Sequence, residues 1–86
     1  MDEIKFTAYV TRYALSTGIR QITAVQSGNF HNMVHEEGRR HINYHGEGKD
    51  WHRTWNGAVK RAEEMRRAKL ASLRKQMKKI EGLTFE

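Results

Sequence analysis

The stretch Thr54-Trp55-Asn56-Gly57-Ala58-Val59-Lys60-Arg61-Ala62-Glu63-Glu64-Met65-Arg66-Arg67-Ala68-Lys69-Leu70-Ala71-Ser72-Leu73-Arg74-Lys75-Gln76-Met77-Lys78-Lys79-Ile80-Glu81-Gly82 decides the fold. From Trp55 to Glu81 it holds no Pro and a single Gly, Gly57. Ala, Glu, Lys, Arg, Met and Leu dominate, side chains that lose little freedom on a helix. Thr54 is a good N-cap, because its hydroxyl can accept from a free backbone N–H of the first turn. Gly82 is placed as a left-handed C-cap, with Leu83 positioned to fold back on the last turn. One helix over 55–81 follows, about 40 Å long at ~1.5 Å per residue.

At ~100° per residue, Trp55, Val59, Ala62, Leu70, Leu73, Met77 and Ile80 share one side of this helix, interrupted near its middle by Arg66 and Lys69. A six-residue strand reaches only ~20 Å, so a small sheet cannot cover the whole helix. In the overhang, Leu70, Leu73, Met77 and Ile80 are spaced as the seam of a short coiled coil. That seam packs on the chain's own sheet, pairs two chains into a homodimer or docks on a partner.

The surplus charge sits on the same segment. Arg66, Arg67, Lys69, Arg74, Lys75, Lys78 and Lys79 fall within fourteen residues that contain no acid. The whole chain carries 16 basic and 10 acidic residues, a net of +6, so everything outside this segment is close to neutral. Lys75 and Lys78 face away from the apolar stripe, Arg67 and Lys79 flank them, Arg74 lies at the edge, and Arg66 and Lys69 project from within it. A cationic rod of this kind attracts phosphates, an acidic protein face or anionic lipid.

The first half reads as strands. Ile4, Phe6, Ala8 and Val10 alternate with Lys5, Thr7, Tyr9 and Thr11, the period of a half-buried strand. Ser16-Thr17-Gly18 predicts a turn and Ile19 to Val25 a second strand. After a turn at Ser27-Gly28-Asn29, two further strands, Phe30 to His35 and Arg40 to Tyr44, flank Glu36-Glu37-Gly38. The expected fold is α+β: a small antiparallel meander of about four strands over 1–45, packed on one long helix over 54–82, in one domain of 86 residues. No apolar run approaches the ~18 residues of a membrane span, and no aromatic residue lies on 66–80 to anchor that segment at a lipid surface. With no Cys there is no disulfide framework and no Cys-type zinc finger.

Other residues suggest chemistry. Tyr9 and Tyr13, on the polar face of the first strand, could stack bases or cover the helix. Between sheet and helix, Trp51, Arg53 and Trp55 form either a packing plug or a recognition surface. Trp55 is the better candidate for burial and Trp51 for exposure. His31, His35, His41 and His45 are the candidate metal ligands: if the hairpin pairs residues summing to 76, His31 faces His45 and His35 faces His41. His41, Asn43, His45, Asp50 and His52, followed by a helix, bear a loose resemblance to the ββα-metal nucleases, in which a His serves as general base beside a metal-bound phosphate. Gly46-Glu47-Gly48-Lys49 lacks the spacing of a phosphate-binding loop.

One longer resemblance spans both ends of the chain. Phe6-Thr7-Ala8-Tyr9-Val10-Thr11-Arg12-Tyr13-Ala14-Leu15-Ser16-Thr17-Gly18-Ile19, then Tyr44-His45-Gly46, Asp50-Trp51-His52-Arg53-Thr54, Ala62-Glu63-Glu64-Met65-Arg66 and Lys69-Leu70-Ala71-Ser72-Leu73-Arg74-Lys75-Gln76, resemble small bacteriophage and prophage accessory proteins. The resemblance implies a phage product in the bacterial cytoplasm that acts by binding, as an inhibitor of a CRISPR-like nucleic-acid-handling complex or an oligomeric nucleotide sponge, while the basic helix by itself suggests a nucleic-acid-binding regulator. It carries over no catalytic residue and no cofactor.

Overall fold

The computed structural model describes residues 4–26 and 32–85. Strand β1 (Lys5–Val10) leads through a single helical turn, α1 (Ala14–Thr17), into β2 (Arg20–Gln26). Strands β3 (Met33–Glu36), β4 (Arg39–His45) and β5 (Trp51–His52) precede the long helix α2 (Trp55–Glu81). The sheet is antiparallel, in the order β4-β3-β2-β1-β5, and is curled into a half-barrel. The α+β expectation therefore holds, and the four-strand meander is extended by a two-residue fifth strand on the free edge of β1. The turn at Ser27-Gly28-Asn29 and the start of the third strand at Phe30 and His31 lie outside the described residues.

The period-two pattern sets which face is buried. Phe6 faces Ala24 and Ala8 faces Ile22 across the β1–β2 pair. Ala8, Val10, Ile22, Ala24, Val34, Tyr44 and Trp51 form one buried cluster, with Phe6 and Ile42 packed against it. Curling lets the sheet bury this face within its own concavity. The helix adds little: Ala58 is the only α2 residue that is buried among those described. Residues 57–65 are partly covered in alternation, against β5, β1 and α1. The stripe expected to seat on the sheet is only partly covered, at Val59 and Ala62, while the buried position of the helix, Ala58, lies outside that stripe.

One local expectation is refined and another is corrected. Ser16-Thr17-Gly18 belongs to a helical turn, in which the Ser16 and Thr17 hydroxyls both donate to the Tyr13 carbonyl and Gly18 (φ 82°) reverses the chain. Gly82 is not a left-handed cap. It stays in the right-handed region (φ −81°, ψ −3°), and Leu83 is exposed, since no apolar cap contact is available on a helix end that nothing covers. The Thr54 cap is as expected, its Oγ1 accepting from Gly57 N–H at 3.0 Å.

Candidate functional site

From Arg66 to Glu81 every residue of α2 is exposed, sixteen residues or about 24 Å of helix free of the sheet. The molecule is accordingly drawn out to 69 × 26 × 20 Å. All seven basic residues of the segment lie on this arm. Arg66 forms an ion pair with Glu63 one turn back; Arg67, Lys69, Arg74, Lys75, Lys78 and Lys79 have no ion pair among the described residues.

The acids explain why. Glu36 pairs with Arg20 at 2.6 Å and with Arg39 at 3.6 Å, Glu37 with Lys5 at 3.1 Å, and Glu47 with Arg53 at 3.1 Å. On the covered part of α2, Glu64 pairs with Arg61 at 3.7 Å. The carboxylates of the sheet and the first helical turns are thus used locally, and the arm's charge is left facing water. At ~100° per residue, Arg67, Arg74 and Lys78 fall within about 40° of one line along the helix. Lys60, exposed on the covered half, continues that line at the seven-residue spacing 60, 67, 74. The sequence reading missed Lys60, although the heptad interval was visible.

On the neighbouring flank, Leu70, Leu73, Met77 and Ile80 are 43–66% exposed, and Trp55, Leu83 and Phe85 add to them at 52%, 54% and 89%. Within the single chain, the seam does not pack on its own sheet. The arm thus carries an exposed apolar stripe beside its cationic face.

The remaining candidates do not join this surface. Trp51 is fully buried: its Nε1–H donates to the Asn32 carbonyl at 3.0 Å and its ring lies 5.5 Å from that of Phe6. The Trp51/Trp55 expectation is reversed because β5 pairs with β1 at the closing edge of the half-barrel, directing Trp51 into the core, whereas Trp55 falls on the rim. Arg53 covers this plug, its guanidinium 4.3 Å from the Phe6 ring centre and 5.5 Å from that of Trp51, while paired with Glu47. Tyr9 is half-buried edge-on against Trp55 at 5.8 Å. Tyr13 lies beyond the end of β1, exposed, with the Arg12 guanidinium 5.6 Å from its ring centre. The two tyrosines are therefore not a paired stacking face.

The histidine alignment is also overturned. In the hairpin, Met33 faces His45 and His35 faces Asn43, a sum of 78, and the register then shifts so that Glu36 faces Arg39. Arg40, His41 and Ile42 are accommodated in that irregularity, and the regular part of the ladder already sets His45 and His35 opposite residues other than histidine. His31 lies outside the described residues. Among the described residues, no three His, Asp or Glu side chains come together as a metal site.

The nuclease-like set is dispersed in structural roles. Asp50 accepts from the His45 backbone N–H at 3.1 Å. His52 is buried beside Thr11, whose Oγ1 is 2.9 Å from its Nε2 and donates to the Lys49 carbonyl at 2.8 Å. Desolvation holds the His52 imidazole below its ordinary value of 6.5, and the Arg61 charge lowers it further, against upward contributions from the Lys49 backbone and Glu47.

The chain matches no protein-family model, no curated protein and no solved structure. No helix among the described residues is long and apolar enough to cross a membrane.

Proposed function

We propose that this protein is a non-enzymatic binding protein whose projecting α2 arm engages the phosphate backbone of nucleic acid, whether free or held in a host nucleic-acid-handling complex. The observation that carries the reading is the exposed arm over 66–81, with six basic side chains that lack an ion pair among the described residues. A solvated helix ordinarily interleaves acids at i+3 or i+4, as Glu63 and Glu64 do on the covered half. The arm has none before Glu81. Uncompensated cations on a rigid rod lower their own electrostatic energy when they displace counterions from a polyphosphate.

The resemblance to phage accessory proteins suggests the setting: occupation of the nucleic-acid-handling surfaces of a CRISPR-like defence complex in a bacterial host. On this reading the sheet is the rigid base, and the arm is the element that reaches the partner.

Fluorescence anisotropy with a labelled duplex tests the proposal. Affinity is expected to fall linearly in log–log form with salt, each phosphate contact adding ~0.9 to the slope. Arg67→Glu, Arg74→Glu and Lys78→Glu together should lower affinity at least tenfold and flatten that slope, with the Trp51 emission unchanged. Salt-independent binding, or full affinity in the triple variant, would exclude the arm as the binding element.

A further inference from the structure

We infer that the arm's apolar seam takes a second copy of this chain, in antiparallel orientation, and that the pair presents one continuous cationic surface to the polyphosphate. The inference rests on the proposed function for its second half only. Three observations select the occupant and its direction.

The first is the seam's own symmetry. In an antiparallel pair whose facing residues sum to 150, Leu70 meets Ile80 of the partner subunit and Leu73 meets Met77 of the partner subunit, so all four seam residues face apolar side chains. Sliding by one heptad brings Arg66 against Met77 of the partner subunit and leaves Ile80 against Glu63 of the partner subunit. The second is length. The two-fold axis of the sum-150 register passes beside Lys75, and the exposed segment from Arg66 to Leu83 has its midpoint at the same place. The two arms can therefore overlap fully, each ending where the other's sheet begins to cover its helix, with the half-barrels at opposite ends.

The third is charge. Antiparallel pairing brings Arg67 within about 3 Å of the level of Glu81 of the partner subunit, twice by symmetry, at the cost of one Arg74–Arg74 approach on the axis. Parallel pairing instead sets Lys69 against Arg74 of the partner subunit twice and gives Glu81 no cation. The antiparallel pair gathers Arg67, Arg74 and Lys78 from both chains on one flank around the axis. A phosphate backbone lying there relieves the Arg74 repulsion, so pairing and polyphosphate binding strengthen each other.

The test uses the full chain, which has no Cys of its own. Leu70→Cys and Ile80→Cys are made as separate variants and oxidised alone and mixed. In the antiparallel register, residue 70 lies about 15 Å along the axis from its own copy, beyond disulfide reach, but level with residue 80 of the other chain. The mixture should cross-link to the mixed dimer, and neither variant should cross-link with itself. Self-cross-linking of each variant would show parallel pairing and overturn the proposal. At concentrations low enough that the unmodified chain sediments mostly at 10.1 kDa, the fraction at twice that mass should rise several-fold on adding a short duplex, and Leu73→Glu should leave only the monomer. A chain that stays monomeric while binding duplex overturns the pairing and leaves the proposed function standing. A dimer that binds no duplex supports the pairing and fails the proposed function. Partition of monomers onto anionic phosphatidylglycerol vesicles would assign the seam to lipid and overturn it.

Discussion

Thr11 Oγ1 lies 2.9 Å from His52 Nε2, with both side chains buried, and joins the end of β1 to the segment that enters α2. A hydroxyl has one proton to give. Thr11 gives it to the Lys49 carbonyl, which leaves its oxygen free to accept from the His52 ring when Nε2 carries the proton. Thr11→Val keeps the shape but removes the hydroxyl from both contacts in a partly buried site. A loss of about 2 kcal/mol in urea unfolding is expected. A change under about 0.5 kcal/mol would show that water replaces the hydroxyl.

The same pair sets an acid response. Because the folded-state value of His52 is depressed, the unfolded chain binds more protons over the interval between that value and 6.5. Stability should therefore fall as pH drops through 6.5 and level off below the folded value. His52→Gln should remove this component from a Tm-against-pH curve. An unaltered curve in that variant would place the acid sensitivity elsewhere.

Trp51 and Trp55 should behave oppositely. Trp51→Ala empties the centre of the core and should cost about 3–5 kcal/mol, enough to unfold a domain of this size. Trp55→Ala removes a half-exposed ring and should cost no more than about 1 kcal/mol. In Trp55→Phe the remaining emission should be blue-shifted and resist iodide quenching, whereas Trp51 accessible to iodide would contradict its burial.

The arm and the half-barrel should respond separately. Ala71→Pro interrupts the exposed helix, where no tertiary contact resists, and should reduce helical circular dichroism without moving the unfolding transition seen through Trp51. Amide exchange should be faster over 66–81 than over 55–65, because only the latter is held by packing. A joint shift of both probes would mean that the arm supports the sheet.

Much of this was legible from local chemistry. The helix from Thr54 to Gly82 follows from side-chain propensity and a cap, both properties of a few neighbouring residues, and the bounds of α2 agree with the reading. The strand pattern of Phe6, Ala8 and Val10 follows from the pleat, which sends alternate side chains to opposite faces whatever lies beyond. The arm's charge is a matter of composition, and its overhang of comparing two lengths.

What neighbouring residues could not fix was how those elements meet. Burial of Trp51 in place of Trp55 depends on β5 pairing with β1 some forty residues away along the chain. The separation of the histidines depends on a hairpin register, Met33 facing His45 and His35 facing Asn43, that no alternation of residue types records. Arg53 was readable as a binding residue until Phe6, Trp51 and Glu47 were seen around it. By itself the sequence determined one long basic helix and a strand-rich first half, because helix propensity, capping, pleating and charge act over a few residues. Only the tertiary structure decided that the sheet buries its core within its own curl and leaves the arm's apolar and cationic faces open, because register and curvature are settled by contacts between residues far apart in the chain.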